Sequence, residues 1–335
     1  MGTSEPKNSK FTQQELPAWR PTLTPAWTCF ILFAVGCIFV PIGAACVAAN
    51  LNVVEVSARY DNQADCSTGF FPTLAEKANR ASTLGVGTSC VVSLTIPKTM
   101  KAPVFVYYEL KNFYQNHRRF VKSRSDEQLF GEDVSSDFCD PQQYRVDPNG
   151  TKLEISPCGL MAWSFFNDSY AVSRVDSVSG VEQPVAVDET GIAWPSDVAY
   201  KFGDVTPANH NDDVATRGGG QINGTLKQDE HFIVWMRTAA MANFRKLWGK
   251  IGVDLAAGEV VKIAIDNRFN SYAYDGEKKV VLSTTSWLGG KNVFLGAAYL
   301  TLGALSFASA AVFAYFAMYP PRTLGDVAEF MNSRE

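Results

Sequence analysis

The sequence predicts a membrane protein in which two transmembrane α-helices flank a mainly antiparallel, sandwich-like β ectodomain with short helices. Three observations carry the prediction. No Asp, Glu, Lys, Arg or His occurs between Arg20 and Glu55, or between Lys291 and Arg322. A long polar block separates these two stretches. Its most apolar segments are short, β-branched and aromatic, and Gly- and Pro-rich turns divide them. A wholly soluble chain is excluded first, because each uncharged stretch exceeds the roughly 20 apolar residues that a helix needs to cross about 30 Å of hydrocarbon.

Taken in order, the elements are an N-terminal tail (1–25), a span (26–50), an ectodomain (51–291), a second span (292–319) and a C-terminal tail (320–335). A cleaved signal peptide is the competing reading of the first span. Against it stand the 25 preceding residues, an apolar run longer than the usual 7 to 15, and Pro41 inside it. Within the second span, the run from Val293 to Met318 is polar only at Thr301, Ser306, Ser309 and its tyrosines. Lys7, Lys10 and Arg20 precede the first span and only Arg59 follows it closely, so the positive-inside rule puts both termini in the cytosol and the ectodomain in the lumen or outside the cell.

Composition sharpens this. The chain has 335 residues, 46% hydrophobic and 19% charged, with 30 Lys and Arg against 34 Asp and Glu, a net charge of −4. No basic field is available to hold a phosphate backbone, so a nucleic-acid partner is excluded. The two tails carry equal numbers of acidic and basic residues, so the whole −4 lies in the central block.

Two features agree with an exoplasmic ectodomain. The three Asn-x-Ser/Thr acceptors, Asn149, Asn167 and Asn223, all fall in it. Cys29, Cys37 and Cys46 sit in the first span as small apolar residues, whereas Cys66, Cys90, Cys139 and Cys158 sit in the central block, where an even number reads as a disulfide framework. Four cysteines allow three connectivities; the sequential one closes the shortest loops. No two stand two to four apart and no His is near them, so a metal site is not expected.

Strands are expected at residues 90–97 (CVVSLTIP), 104–110 (VFVYYEL), 260–266 (VVKIAID) and 279–287 (KVVLSTTSW), with short helices at 74–80 and 112–122. The turn signals are 147–150 (DPNG), 217–220 (RGGG) and Asp275-Gly276.

The search for chemistry is negative. The sequence has no G-x-x-x-x-G-K-[ST], G-x-S-x-G, H-E-x-x-H or D-K-T-G-T, and the glycines at 218–220 read as a flexible loop. Neither span holds the ionisable group that proton relays and voltage sensors need. No catalytic residue, cofactor or metal is therefore assigned.

The spans offer packing surface instead. Gly296, Gly303, Ala310 and Ala317 recur every seven residues, as do Cys29, Gly36 and Gly43, which permits close helix approach either to a partner or to each other. In the ectodomain, residues 112–124 (NFYQNHRRFVKSR) combine five basic side chains with aromatics. That cluster suits a solvated face or a contact with acidic loops of a partner.

At this cluster the chain resembles a known family. Residues 107–129 (YYELKNFYQNHRRFVKSRSDEQL) are similar to the signature of the CDC-fifty/LEM-three family, the β-subunits of type-four P-type ATPases, the phospholipid flippases. So are residues 13–25 (QQELPAWRPTLTP), 157–168 (PCGLMAWSFFND), 230–249 (EHFIVWMRTAAMANFRKLWG), 283–296 (STTSWLGGKNVFLG) and Gly325-Asp326.

The resemblance implies a non-enzymatic subunit, paired 1:1 with a large catalytic chain. It implies that the subunit accompanies its partner out of the endoplasmic reticulum, to Golgi, endosomes or plasma membrane, and supports movement of membrane phospholipids toward the cytosolic leaflet. It also implies pairing of Cys66 with Cys90 and of Cys139 with Cys158, and a glycan on Asn167. Asn149 and Asn223 rest on the local acceptor rule alone. Candidate partner contacts are Asn112, Tyr114, Asn116, Arg118, Arg119, Arg237, Phe244 and Arg245, with Gly296, Gly303 and Ala310 in the second span. One departure is Met241-Ala242-Asn243, where the family's usual proline is missing. The rival class is a two-span ion-channel subunit with a disulfide-bonded ectodomain.

Overall fold

A computed structural model of the chain describes residues 9–17, 24–63, 66, 88–132, 137–147, 149–175, 180–210 and 219–319. The expected helix at 74–80, the C-terminal tail, Pro148, Arg217 and Gly218 lie outside these residues. The chain divides into two compact units, Leu51–Lys291 and the two flanking segments together.

The flanking unit holds α1 (Pro25–Leu51) and, near the other end of the chain, α7 (Val293–Met318). Both are long and apolar enough to cross a membrane. Apart from Asn50 near the end of α1, their buried positions are small: Gly36, Gly43, Cys46 and Ala49 on α1, and Gly296, Gly303 and Ala310 on α7. The register is antiparallel. Gly43 faces Leu300 and Gly36 faces Phe307, while Gly303 faces Val40 and Gly296 faces Val47, each step of seven on one helix matching seven back on the other. A Cβ at Gly36 or Gly303 would lie 2.7 Å from its neighbour, which is why glycine is needed there. Phe39–Tyr299 and Phe33–Phe307 add edge-on aromatic pairs. At the far end, Asn50 Oδ1 accepts from the Asn292 N–H, while the Asn292 side chain caps Phe294.

The central unit, Leu51–Lys291, contains eleven described strands: β1 (Glu55–Arg59), β2 (Thr88–Thr95), β3 (Val104–Lys111), β4 (Tyr144–Val146), β5 (Lys152–Glu154), β6 (Ser169–Val175), β7 (Glu182–Val185), β8 (Val187–Asp188), β9 (Phe244–Ile251), β10 (Val260–Asn267) and β11 (Glu277–Ser283). They form a five-stranded sheet ordered β1-β11-β3-β9-β8, a four-stranded sheet ordered β2-β10-β6-β7, and the β4-β5 hairpin. Every pairing is antiparallel. Alternation builds most of the core, with β11 buried throughout from Val280 to Ser283. Val104, Val106, Tyr108 and Leu110 of β3 point inward, as do Val261, Ile263 and Ile265 of β10, Val92 and Leu94 of β2, and Val280 and Leu282 of β11, all in one apolar cluster.

The short helices are α2 (Arg118–Lys122), α3 (Asp126–Phe130), α4 (Leu160–Trp163), α5 (Pro195–Tyr200) and α6 (Glu230–Met236). The helix expected over 112–122 begins only at Arg118. Asn112 adopts a left-handed backbone (φ 62°) that ends β3, and residues 113–117 turn without forming helix. The last expected strand is also shorter: β11 stops at Ser283, because Thr284 turns to exchange hydrogen bonds with Val54 and leaves Trp287 in the following turn. The glycines at 219–220 do not form a free loop. Both are buried against the backbone of Phe165, which accepts from the Gly220 N–H at 2.7 Å, so a side chain at Gly219 would overlap it.

Candidate interaction surfaces and the network behind them

Two buried lysines organise the central domain. In β11 the inward alternation that places Val280 and Leu282 in the core also places Lys278 there, with its side chain fully buried. Its ammonium donates to Asp168 Oδ2 (2.7 Å), to the Phe269 carbonyl (2.6 Å) and to Asn267 Oδ1 of the opposite sheet. Asp168 also accepts from Tyr60 OH and from the Arg268 and Phe269 N–H groups, each at 2.6 Å. A salt bridge between two fully desolvated groups survives only with this degree of satisfaction. Burial pulls the Lys278 ammonium below its ordinary value, and the Asp168 charge pulls it back up.

Lys246 of β9 plays a different part. Its ammonium donates to the carbonyls of Val234, Trp235 and Arg237, the orphan acceptors at the end of α6. Burial, and secondarily the charge of Arg237, hold it well below the usual lysine range.

The two densest motif blocks bind each other. Gln115 Oε1 accepts from the Ala239 N–H (2.8 Å), Asn116 Nδ2 donates to the Ala240 carbonyl (2.6 Å), and the Phe113 N–H donates to the Ala242 carbonyl (3.1 Å). Asn243 Oδ1 accepts from the Asn112 N–H, so the segment without the proline still closes on the turn. Phe113 lies within ring contact of Phe120, Trp235, Phe244 and Tyr274.

This sorts the candidate contacts. Asn112 and Asn116 hold backbone groups, Phe244 packs beside Phe113, and Arg245 pairs with Glu55 at 2.7 Å. Arg237 pairs with Asp197 and lies 4.4 Å over the ring of the exposed Trp194. Tyr114, Arg118 and Arg119 point outward, Arg119 toward Asp140 at 3.9 Å, and Met241 is exposed on the adjoining loop. The outward face of this loop pair thus carries Tyr, Arg and Met, side chains enriched at protein interfaces. Gly296, Gly303 and Ala310 face α1 of the same chain.

Both disulfides are sequential, Cys66–Cys90 and Cys139–Cys158. The second anchors a turn that needs glycine: Gly159 has φ +105°, and a Cβ there would collide with the Ser123 carbonyl. Ser123 Oγ in turn donates to the Cys139 carbonyl and accepts from the Leu160 N–H. Asn149 and Asn223 are exposed. Asn167 is half-buried, and it shares with Asn223 a groove of about 320 Å³ beside Asp168 and Trp248. Among the described residues no group of three His, Cys, Asp or Glu is placed to hold a metal ion.

The model of the LEM3 (ligand-effect modulator 3) family / CDC50 family matches residues 46–323, from the end of α1 through the ectodomain and α7. The chain belongs to the LEM3/CDC50 family. It is similar to ALA-interacting subunit 3 of Arabidopsis thaliana, with 46% identity over 330 residues covering 97% of this chain and 89% of the relative. It is also similar to cell cycle control protein 50A of Bos taurus (35% over 333 residues, 91% and 87% covered) and 50B of Homo sapiens (35% over 329, 91% of each). Two apolar helices flanking an antiparallel-sheet domain are consistent with this family's topology. Sequence reasoning missed Lys246 and Lys278. The signal for Lys278 was present, since it lies two residues before Val280 in an alternating strand.

Proposed function

We propose that this LEM3/CDC50 family member is the non-catalytic accessory subunit of a phospholipid-translocating P-type ATPase. It pairs 1:1 with the catalytic chain, supports its folding and its export from the endoplasmic reticulum, and is required for lipid movement toward the cytosolic leaflet. The observation that carries the reading is the family match over residues 46–323, with relatives named as interacting subunits.

The physical arrangement supports it. Neither helix holds a charged residue, and their small faces are occupied by each other, so the pair offers no pathway of its own. What remains for a partner is the apolar outer surface of α1 and α7, including Phe30, Ile38, Leu302, Leu305 and Val312, and the Tyr114–Arg118–Arg119–Met241 face of the ectodomain. Both termini lie in the cytosol on this reading, with glycans on Asn149, Asn167 and Asn223 in the lumen or outside the cell. The complex works at Golgi, endosome or plasma membrane.

The test is purification of the tagged full chain in mild detergent. A P-type ATPase co-purifying in equal amount supports the proposal. Recovery of the chain as a homotrimer without a larger polypeptide rejects it in favour of a channel subunit.

A further inference from the structure

Trp287 is displayed rather than packed. It is 76% exposed, on a turn closed by reciprocal Ser286–Gly289 backbone hydrogen bonds of 2.9 Å. Ser286 Oγ accepts from the Leu288 N–H and donates to the Gly289 carbonyl, and Gly289 takes the left-handed conformation the turn requires (φ +109°). No atom lies within 4 Å of where a side chain on Gly289 or Gly290 would sit. A rigid turn therefore presents a large indole with nothing of the ectodomain over it.

Along the chain, this turn is only a few residues from α7, and its strand pairs with the strand that follows α1. Val54 and Thr284 exchange hydrogen bonds of 2.9 and 3.0 Å, which joins the strand that follows α1 to the strand that precedes α7. Three residues lead from Leu51 to Val54 and six from Trp287 to Val293, extended reaches of at most about 11 and 21 Å.

The helices supply the other half of the argument. At their ectodomain-distal ends they carry exposed interfacial aromatics: Trp27 on α1, stacked on Phe30, with Tyr315 and the adjacent Tyr319 at the end of α7. At the ectodomain-proximal ends neither the last turn of α1 (AANL) nor the first turn of α7 (VFLG) contains Trp or Tyr. Membrane proteins concentrate these residues at both interfaces, because the ring is apolar and the N–H or O–H needs a polar partner.

We propose that Trp287 is the missing interfacial anchor: the turn at 286–289 seats its indole in the headgroup layer of the bilayer, with the exposed Lys291 beside it facing lipid phosphate. The inference rests on α1 and α7 crossing a bilayer, and is independent of what partner the chain has.

The test uses the full chain reconstituted in phosphatidylcholine vesicles. The emission lost on Trp287→Phe isolates this indole from the other six tryptophans. That component is expected to be blue-shifted, to fall about twofold in lipid brominated high on the acyl chain, and to be insensitive to aqueous iodide. Trp194, 61% exposed in the ectodomain and isolated in the same way by Trp194→Phe, is expected to show the reverse. A Trp287 component quenched by iodide and untouched by bromolipid places the turn in water and overturns the proposal. A component protected from both places it under protein and overturns it equally. Because the side chain is exposed, the variant keeps the fold, which an unchanged disulfide pattern and circular dichroism verify.

Discussion

Replacing Asp168 by Asn tests whether the buried Lys278–Asp168 pair holds the two sheets together. The substitution changes only the middle position of the Asn167-x-Ser169 sequence and leaves that acceptor pattern intact, so any effect on the protein comes from the network and not from a lost acceptor. It keeps one side-chain oxygen to accept from the Arg268 and Phe269 N–H groups. It turns an amide toward Tyr60 OH and Lys278 Nζ, which lie 2.6 and 2.7 Å from Asp168 Oδ2. The ammonium, with no exposed surface, then has only the Asn267 and Phe269 oxygens. Stranding one partner of a buried pair costs about 3–5 kcal/mol. For a domain of this size that corresponds to a fall in Tm of roughly 10 °C. The assay is thermal unfolding of the full chain in detergent, followed by tryptophan emission. Adding Lys278→Met is expected to recover more than half of the loss, since a neutral pair strands no charge. A fall below about 2 °C, or a double variant no more stable than Asp168→Asn alone, refutes the reasoning.

Three further predictions follow from the same geometry. Burial raises the phenols of Tyr60, Tyr108, Tyr170 and Tyr274 above their ordinary value near 10, and that of Tyr272 to about 12. The folded chain therefore keeps them neutral where the unfolded chain releases their protons. Their contribution to stability is whole below pH 10 and is lost above it at about 1.4 kcal/mol per pH unit per phenol. The lowered lysines Lys246 and Lys278 act in the opposite direction between their lowered folded-state values and 10.5, so above about pH 10.5 nothing offsets the phenols: denaturation midpoints should fall steeply there, with phenolate absorbance rising in step with unfolding. Lys246→Met removes the ammonium from the Val234, Trp235 and Arg237 carbonyls, of which Trp235 keeps only the longer bond from Gln115 Nε2, and is expected to destabilise by about 1–3 kcal/mol, measured as a denaturation midpoint, whereas Lys250→Met at the exposed Gly191 contact changes little. Gly303→Val drives a branched side chain into Val40 and should cost about 1–3 kcal/mol of detergent-solubilised stability, while Leu302→Val, on the exposed side of the same helix, is near neutral.

Much of the fold was legible because the signals were periodic. Charge-free runs marked α1 and α7 to within a residue or two, and β-branched segments marked β2, β3 and β10. β9 was less so: FRKLWGKI carries Arg and two lysines, and a bulge at Trp248 interrupts its alternation against β3. The inward Lys246 and Lys278 were harder to read for a related reason, since a strand lysine normally points to water: alternation marks Lys278, but the acceptors that reverse the preference, the α6 carbonyls for Lys246 and Asp168 for Lys278, carry no mark in the sequence. Asp168 is 110 residues from Lys278. The dense blocks around Asn112 and Arg237 read as partner contacts; Gln115, Asn116 and Asn243 also tie the two loops to each other, while Tyr114, Arg118, Arg119 and Met241 point outward. The glycines at 219–220 looked like a loop, and it took the backbone of Phe165 lying against them to explain them.

The central claim, that this chain is the accessory subunit of a lipid-moving ATPase, is tested most directly by uptake of headgroup-labelled phospholipid into intact cells lacking the chain. The account predicts that inward movement collapses, that the intact chain restores it, and that Asp168→Asn restores it poorly because less complex leaves the endoplasmic reticulum. Uptake unchanged by the deletion, with a P-type ATPase still reaching its membrane, would contradict it.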